Sequence, residues 1–171
     1  GVFSNQASHH VDLLEWMLGE PESVYATAST RLVQIETEDT GVAVIKFRNG
    51  AIGVVEATTA TRPSDLEGSL SLLGERGTVE IGGFAVNEMK VWNFVETSPE
   101  DEEILKNSRE NPPNVYGFSH HAYLQHVVHC INEGSPALVD GLEGRKSLEL
   151  ITAIYESIAT GKEVPLGFRS Q

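Results

Sequence analysis

Four side chains near the start of the chain are spaced for one face of a helix. Asn5, His9, Asp12 and Trp16 follow each other at steps of four, three and four residues, which places them along one stripe. Histidine titrates near neutral pH, so a histidine in a cleft can accept a proton from a hydroxyl group and return it. We therefore predict that His9 is an acid–base residue, with Asp12 either orienting its ring or forming a surface ion pair.

The remaining histidines allow a second interpretation, which is metal binding. His126 and His129 lie three residues apart in a segment that also predicts a helix. This pair has no carboxylate or cysteine at ligand spacing, and the chain has no HExxH motif. The pattern favours ordinary surface and capping histidines, and we expect no metal. Nucleophile elbows and phosphate-cradling glycine loops are also absent from the sequence.

The helix that carries the stripe must begin and end within a short stretch. The pattern predicts a helix from about residue 6 to residue 18, with Asn5 or Ser8 as its N-cap. Gly19, followed by Pro21, ends it. The chain begins inside this segment without a methionine, which we interpret as a sign that it is a piece of a larger protein.

The next hundred residues are rich in Val, Thr and Tyr and predict strands. Asn49-Gly50 between two such runs is a hairpin signal, for which we expect positive φ at both turn positions. Gly74-Glu75-Arg76-Gly77 predicts a second tight turn. The predicted strands are 23–33, 41–47, 51–61, 68–73, 78–81 and 90–95, with a short one at 164–166.

An acidic, proline-interrupted stretch at 96–116 predicts a long structureless connection. Helices are predicted over about 119–132 and 142–160. The order of helix, strand run and two helices predicts an α+β fold: a mostly antiparallel open sheet with helices packed on one face, in a two-layer sandwich. Three helices do not cover both faces, so the other face is a candidate subunit interface.

Composition narrows the classes of function. The 171 residues suit one domain, and the formal net charge of -13 argues against a nucleic-acid partner. The single cysteine, Cys130, excludes an internal disulfide and fits a reducing compartment. Because no apolar run approaches the ~20 residues of a membrane span, we expect no membrane association and a cytoplasmic location.

The motifs, taken together, resemble a known family. The segment from Asn5-Gln6 to Gly19 resembles the NQxxHxxDLLxWxxG pattern of Gfo/Idh/MocA-type oxidoreductases, which include glucose–fructose oxidoreductase and inositol dehydrogenase. FRNGA at 47–51, LGERGT at 73–78 and PALVDGLEG at 136–144 match further family segments in the same order. The similarity runs through essentially the whole chain and is weakest at 96–116.

The resemblance implies a two-domain protein. Residues 1–171 would be the C-terminal substrate-binding and oligomerisation domain, and a Rossmann domain that binds NAD or NADP is expected upstream, together with the family's Glu-Lys-Pro lysine. The full-length protein would then be an NAD(P)-dependent oxidoreductase that oxidises a secondary hydroxyl of a sugar, sugar acid or nucleotide sugar. We expect the isolated chain to be inactive, and a homodimer or homotetramer to form through the open sheet face.

The resemblance also assigns roles to residues. His9 corresponds to the catalytic histidine. Asn5 stands where inositol dehydrogenase-like members carry an aspartate, and an amide can bind a hydroxyl but cannot carry a proton at neutral pH. Asn-Gln at this place is similar to the WlbA-like nucleotide-sugar branch. The implied substrate contacts are Asn5, Gln6, Asp12, Tyr116 and His120.

A different class of function remains open from the sequence. The chain would then be a non-catalytic oligomerisation or ligand-binding module, in which the open sheet associates and the histidines are incidental.

Overall fold

The computed structural model describes residues 1–83, 86–108 and 119–167. The chain divides into two compact units: unit 1 contains Gly1–Ser64 and Val139–Gln171, and unit 2 contains Asp65–Leu138. The elements are α1 (Ser8–Leu18), β1 (Pro21–Ser29), β2 (Thr40–Phe47), β3 (Ile52–Thr58), β4 (Leu70–Gly74), β5 (Gly77–Gly82), β6 (Glu88–Phe94), α2 (Pro99–Asn107), α3 (Ser119–Glu133), α4 (Gly141–Thr160) and β7 (Val164–Pro165).

Unit 1 is a four-stranded antiparallel sheet with strand order β3-β2-β1-β7 and helices α1 and α4 on its inner face. Burial alternates along β2 and β3, as expected for a sheet with one covered face. The core residues that the sheet contributes are Val24, Ala26, Ala43, Ile45, Phe47 and Val55, and α1 and α4 add Val11, Leu14, Leu150 and Ile154.

Ser157 joins α4 to the sheet edge that the short β7 leaves uncovered. The Ala26 amide donates to Ser157 Oγ at 2.9 Å, and this hydroxyl donates to the Lys162 carbonyl at 2.6 Å. Ser157 is fully buried. Its hydroxyl takes the place of water as the hydrogen-bond partner of the Ala26 amide and of the Lys162 carbonyl. The serine thereby fixes where α4 crosses β1.

Unit 2 contains the antiparallel sheet β4-β5-β6, with α2 packed on β6, and also contains α3. The predicted α+β class with antiparallel open sheets is confirmed, but the strands form two sheets rather than one. The connection from Thr59 to Ser69 contains no tight turn, so β4 does not continue the β2–β3 hairpin.

The predicted hairpin between β2 and β3 is confirmed, with a longer turn than expected. Gly50 has φ +89°, whereas Asn49 does not adopt positive φ. The turn is closed by hydrogen bonds between Phe47 and Ala51 and between Gly50 and Phe47, at 3.0 and 2.9 Å. Asn49 instead uses its side chain, which donates to the Leu18 carbonyl at 2.8 Å and so joins the turn to the end of α1.

The prediction of a structureless stretch at 96–116 is wrong for its first half, which contains α2. Ser98 and Asp101 form a capping box, and Pro99 occupies the first turn. Acidic residues in that turn favour the helix because they oppose its dipole. Residues 109–118 lie outside the described part of the chain. No helix in the described ranges is long and apolar enough to cross a membrane.

Candidate active site

The predicted stripe lies on the exposed side of α1. Asn5, His9 and Asp12 are exposed, and Trp16 is 76% exposed. The opposite side of the helix buries Val11 and Leu14. The structure therefore agrees with the amphipathic pattern of the helix, because its apolar side faces the sheet and its polar side faces outward.

No hydrogen bond or ion pair within the described residues involves the side chains of Asn5, Gln6, His9 or Asp12. Asp12 therefore neither orients the His9 ring nor pairs with it in this structure. The nitrogens of His9 remain available for an external group, and so do the two amides at positions 5 and 6. His9 and Asp12 on α1, and Asn5 and Gln6 in the turn before it, thus have side chains without an internal partner among the described residues.

The start of α1 differs from the prediction that Asn5 or Ser8 caps it. The N-cap position is Ala7, which provides no side-chain hydrogen bond. Ser8 Oγ instead donates to the Asn5 carbonyl at 2.7 Å. The helix starts here because a hydrogen-bonded turn over residues 1–7 leads directly into it, with the Ala7 amide donating to the Val2 carbonyl at 2.9 Å.

The structure adds a buried carboxyl group that we did not predict, Glu15, on the inner side of α1. The residue is only 7% exposed, and its Oε2 has no hydrogen-bond partner. Burial, and then the charge of Asp12, raise the pKa of Glu15 to about 7, while Lys146 on α4 acts in the opposite direction. The sequence signal for the burial of Glu15 is its position four residues after Val11, because that spacing places both residues on the inner side of the helix.

His10, beside His9, is half-buried, and its Nε2 is buried without a hydrogen-bond partner. Burial and the neighbouring His9 lower the pKa of His10. The neutral form of the His10 ring is therefore favoured, and His9 is the more exposed member of the adjacent pair.

A second unpredicted carboxylate, Asp39, precedes β2. Its Oδ2 accepts hydrogen bonds from the backbone amides of Arg31, Leu32 and Val33 at 2.8, 2.7 and 3.0 Å. These bonds, first that of Leu32 and then that of Val33, hold the pKa of Asp39 well below its usual range. Asp39 orders the loop between β1 and β2, and its role is structural.

The remaining predicted site residues are His120 and Tyr116. His120 is exposed in the first turn of α3, in unit 2, and Tyr116 lies outside the described residues. His126, one of the two candidate metal ligands, accepts a hydrogen bond from the Leu138 amide at 2.9 Å through Nε2. Across the described ranges, no group of three or more His, Cys, Asp or Glu side chains is placed to hold a metal ion.

Comparison with known proteins defines the class to which this fold and site belong. Residues 1–166 match the oxidoreductase family C-terminal α/β domain of the Gfo/Idh/MocA type. The chain belongs to this family, which confirms the resemblance in its motifs. The WlbA dehydrogenase from Bordetella pertussis, solved in complex with NADH and UDP-GlcNAcA, is 46% identical with a TM-score of 0.90, over 98% of this chain and 48% of that one.

Two further relatives extend the comparison. The WlbA dehydrogenase from Chromobacterium violaceum, also solved with NADH and UDP-GlcNAcA, is 43% identical with a TM-score of 0.87, over 98% of this chain and 46% of that one. A D-apiose dehydrogenase from Rhizobium rhizogenes is 24% identical over 172 residues, which is 97% of this chain and 49% of that protein. The chain thus spans about half the length of these relatives.

Proposed function

We propose that this chain is part of an NAD-dependent dehydrogenase that oxidises a secondary hydroxyl group of a nucleotide sugar. The observation that carries the proposal is the 46% identity to the Bordetella WlbA dehydrogenase across 98% of the chain, because that relative was solved with NADH and UDP-GlcNAcA. Sugars and sugar acids form the broader substrate class, and the D-apiose dehydrogenase supports that wider range.

In this proposal His9 is the base. Oxidation of a secondary alcohol removes a hydride from carbon and a proton from oxygen, and an exposed imidazole without an internal partner can take that proton. Asn5 and Gln6 present exposed amide groups shortly before α1, and they bind hydroxyl or carboxylate oxygens without taking part in proton transfer. Asp12, one turn from His9, is a further substrate contact, as are Tyr116 and His120.

The part of the chain that the structure describes contains no Rossmann-type dinucleotide site. Every strand pairing in the described residues is antiparallel, whereas the Rossmann cradle requires a parallel strand–turn–helix unit. We therefore assign cofactor binding to an N-terminal Rossmann domain of the full-length protein. Bound NAD would supply the acceptor for the hydride, and this chain contributes the orientation of the sugar and the proton acceptor.

The test is the substitution His9→Ala in the full-length protein, assayed with NAD and a panel of nucleotide sugars that includes UDP-GlcNAcA. We expect kcat to fall by ~10²-fold or more, because general-base catalysis contributes at least that much. His129→Ala, which removes an exposed helical histidine in unit 2, is the matched control and should leave kcat unchanged. Wild-type kcat in the His9 variant would remove His9 from the mechanism.

The alternative function, a non-catalytic oligomerisation module, is supported by one surface of unit 1. The outer face of the sheet exposes Tyr25, Val42, Val44, Ile52 and Val54, which are between 38% and 70% exposed. We propose that copies of the protein associate through this face, as a homodimer or homotetramer. The two functions separate in the assay above, since an oligomeric wild-type protein that is inactive with every sugar would favour the module.

A further inference from the structure

The turn over residues 1–7 presents polar side chains on one side and buries apolar ones on the other. Val2 and Phe3 are 3% and 0% exposed, whereas Asn5 and Gln6 are exposed. The Asn5 amide donates to the Gly1 carbonyl at 3.2 Å, which closes the turn. The two candidate substrate contacts therefore belong to a turn rather than to α1 itself.

A buried carboxylate, Glu38, holds this turn from the segment before β2. The residue is 8% exposed. Its Oε1 accepts hydrogen bonds from the Phe3 amide at 3.0 Å and from the Tyr155 hydroxyl at 2.8 Å, and its backbone carbonyl accepts from the Val2 amide at 3.2 Å. Two consecutive residues of the turn are thus bonded to one residue of the sheet layer.

Close packing removes the remaining freedom of the turn. A Cβ added to Gly1 would overlap the Glu38 carboxylate, and a Cβ added to Gly41 would overlap the Phe3 ring. At both positions a side chain would force the neighbouring residue to move, so glycine permits the close approach. The fully buried Phe3 ring packs against β2 at Gly41.

Tyr155 connects the same carboxylate to α4. Burial raises the pKa of Tyr155, so its hydroxyl keeps its proton and remains the donor to Glu38. The helix it lies on also packs against α1 and β1. Glu38 is therefore the point at which the turn, the sheet layer and α4 are joined by hydrogen bonds.

We propose that Glu38, supported by Tyr155, is a positioning residue that sets where Asn5 and Gln6 meet the sugar portion of the substrate. This inference rests on the proposed function and gives neither residue of the pair a contact with substrate. His9 lies one turn further on, in α1, which is held independently by Val11 and Leu14. Loss of the Glu38 contacts thus displaces the binding residues more than the base.

The experiment compares Glu38→Ala, Glu38→Gln and Tyr155→Phe in the full-length protein. We expect Glu38→Ala to raise KM for the sugar substrate ~10-fold, and Tyr155→Phe ~3-fold, as expected when hydrogen bonds of ordinary strength are lost. The kcat and the KM for NAD should stay within ~3-fold of wild type, since the effect acts on sugar binding. Glu38→Gln keeps a carbonyl oxygen as acceptor and should restore most of the affinity.

Two further measurements separate positioning from a general loss of structure. Tyr123→Phe removes a hydroxyl from an exposed position of α3 and should change no kinetic constant. Hydrogen exchange of the amides at residues 2–7 should accelerate in Glu38→Ala and not in Glu38→Gln, because the carboxylate bonds protect the turn.

The outcomes distinguish the positioning role of Glu38 from the proposed function. A folded Glu38→Ala protein with unchanged KM for the sugar overturns the positioning role, and so does an equal rise in KM for sugar and NAD. A wild-type protein that oxidises no sugar in the panel defeats the proposed function instead. The exchange measurement still decides the inference in that case, since unchanged exchange in Glu38→Ala overturns it.

Discussion

The loop before β2 and the seam between α1 and α4 each bury a carboxylate, with opposite consequences. Asp39 in the loop is 0% exposed and Glu15 in the seam is 7% exposed, so burial hardly distinguishes them. Three backbone amides donate to Oδ2 of Asp39, whereas no hydrogen bond within the described residues reaches the Glu15 carboxyl group. Asp39 Oδ1 and Glu15 Oε2 are both buried without a partner. The pKa is lowered at Asp39 and raised at Glu15.

The comparison shows that hydrogen-bond donors, rather than burial alone, decide whether a buried carboxyl group is ionised or protonated in the folded chain. The loop supplies its donors locally, because residues 31–33 turn their amides toward a residue only a few positions ahead. The seam is formed by two helix surfaces whose backbone amides are already used within each helix. A carboxyl group placed there finds no free backbone donor.

The largest expected effect is that of Asp39→Ala. The substitution leaves three part-buried amides without their acceptor, and we expect the Tm of the chain to fall by ~10 °C or more. Glu36→Ala, at an exposed position in the same loop, is the control and should change Tm little. Circular dichroism melting measures both, and a small loss for Asp39→Ala would mean that water replaces the carboxylate.

The pH dependence of the same variant follows from the lowered pKa. Because the folded chain binds the Asp39 proton less tightly than the unfolded chain, its stabilisation is present above the ordinary pKa of 3.8 and is lost as the pH falls below it. The Tm difference between wild type and Asp39→Ala should therefore shrink on acidification. A difference that stays constant down to acid pH would contradict the assignment.

Glu15→Gln should have an intermediate effect of the opposite sign. The pKa of Glu15 is raised from 4.5 to about 7, so the folded chain holds this proton more tightly than the unfolded chain. Its contribution to stability is present below pH 4.5 and is lost as the pH rises through 7. Glu15→Gln, which cannot ionise, should therefore melt a few degrees above wild type at pH 8 and close to it at pH 5, roughly the scale of one such buried group.

The control for this variant is Glu156→Gln, at an exposed position of α4, whose Tm difference from wild type should be the same at both pH values. An equal Tm shift for Glu15→Gln at pH 5 and pH 8 would show that Glu15 does not change its protonation state between these pH values, and would contradict the raised pKa.

The sequence predicts the elements whose signals are local. Gly19 and Gly161 end α1 and α4 as expected, and Asp140 caps α4 through the amides of Leu142 and Glu143. The helix α2 was missed because its acidity was interpreted as solvation, although Ser98 followed by proline and an acid three positions on is itself a helix-start signal. The division into two sheets depends on which strand edges pair, and no local pattern specifies that.

The residues of the candidate site are likewise predictable only where a local pattern relates them. The spacing from His9 to Trp16 correctly predicts exposed positions of α1, because helix geometry alone relates them, whereas Asn5 lies in the turn before the helix. Glu38 could not be predicted, since its partner Tyr155 is 117 residues away. Asp12 shows the converse: its spacing from His9 permits a contact that the side chains do not make.

The smallest expected change in Tm is that of a substitution at Asp101. Its carboxylate accepts hydrogen bonds, as that of Asp39 does, but it is only partly buried. It accepts hydrogen bonds from Trp92 Nε1 at 2.8 Å and from the Ser98 amide at 2.6 Å, and these bonds, that of Trp92 first, lower its pKa. Water can replace both donors at this partly exposed position, so Asp101→Asn should lower Tm by only ~2 °C. Glu102→Gln, at an exposed neighbouring position, should have no effect.

Trp92 fluorescence provides the more sensitive measurement of the same contact. In a Trp16→Phe background, which removes the other tryptophan, acidification should change the emission as Asp101 is protonated below its ordinary pKa of 3.8. Adding Asp101→Asn should abolish that transition. If Asp101→Asn instead lowers Tm as much as Asp39→Ala does, burial contributes little to the stabilisation by these carboxylates. The opposite pKa shifts of Asp39 and Glu15 must then be attributed to their hydrogen-bond donors alone.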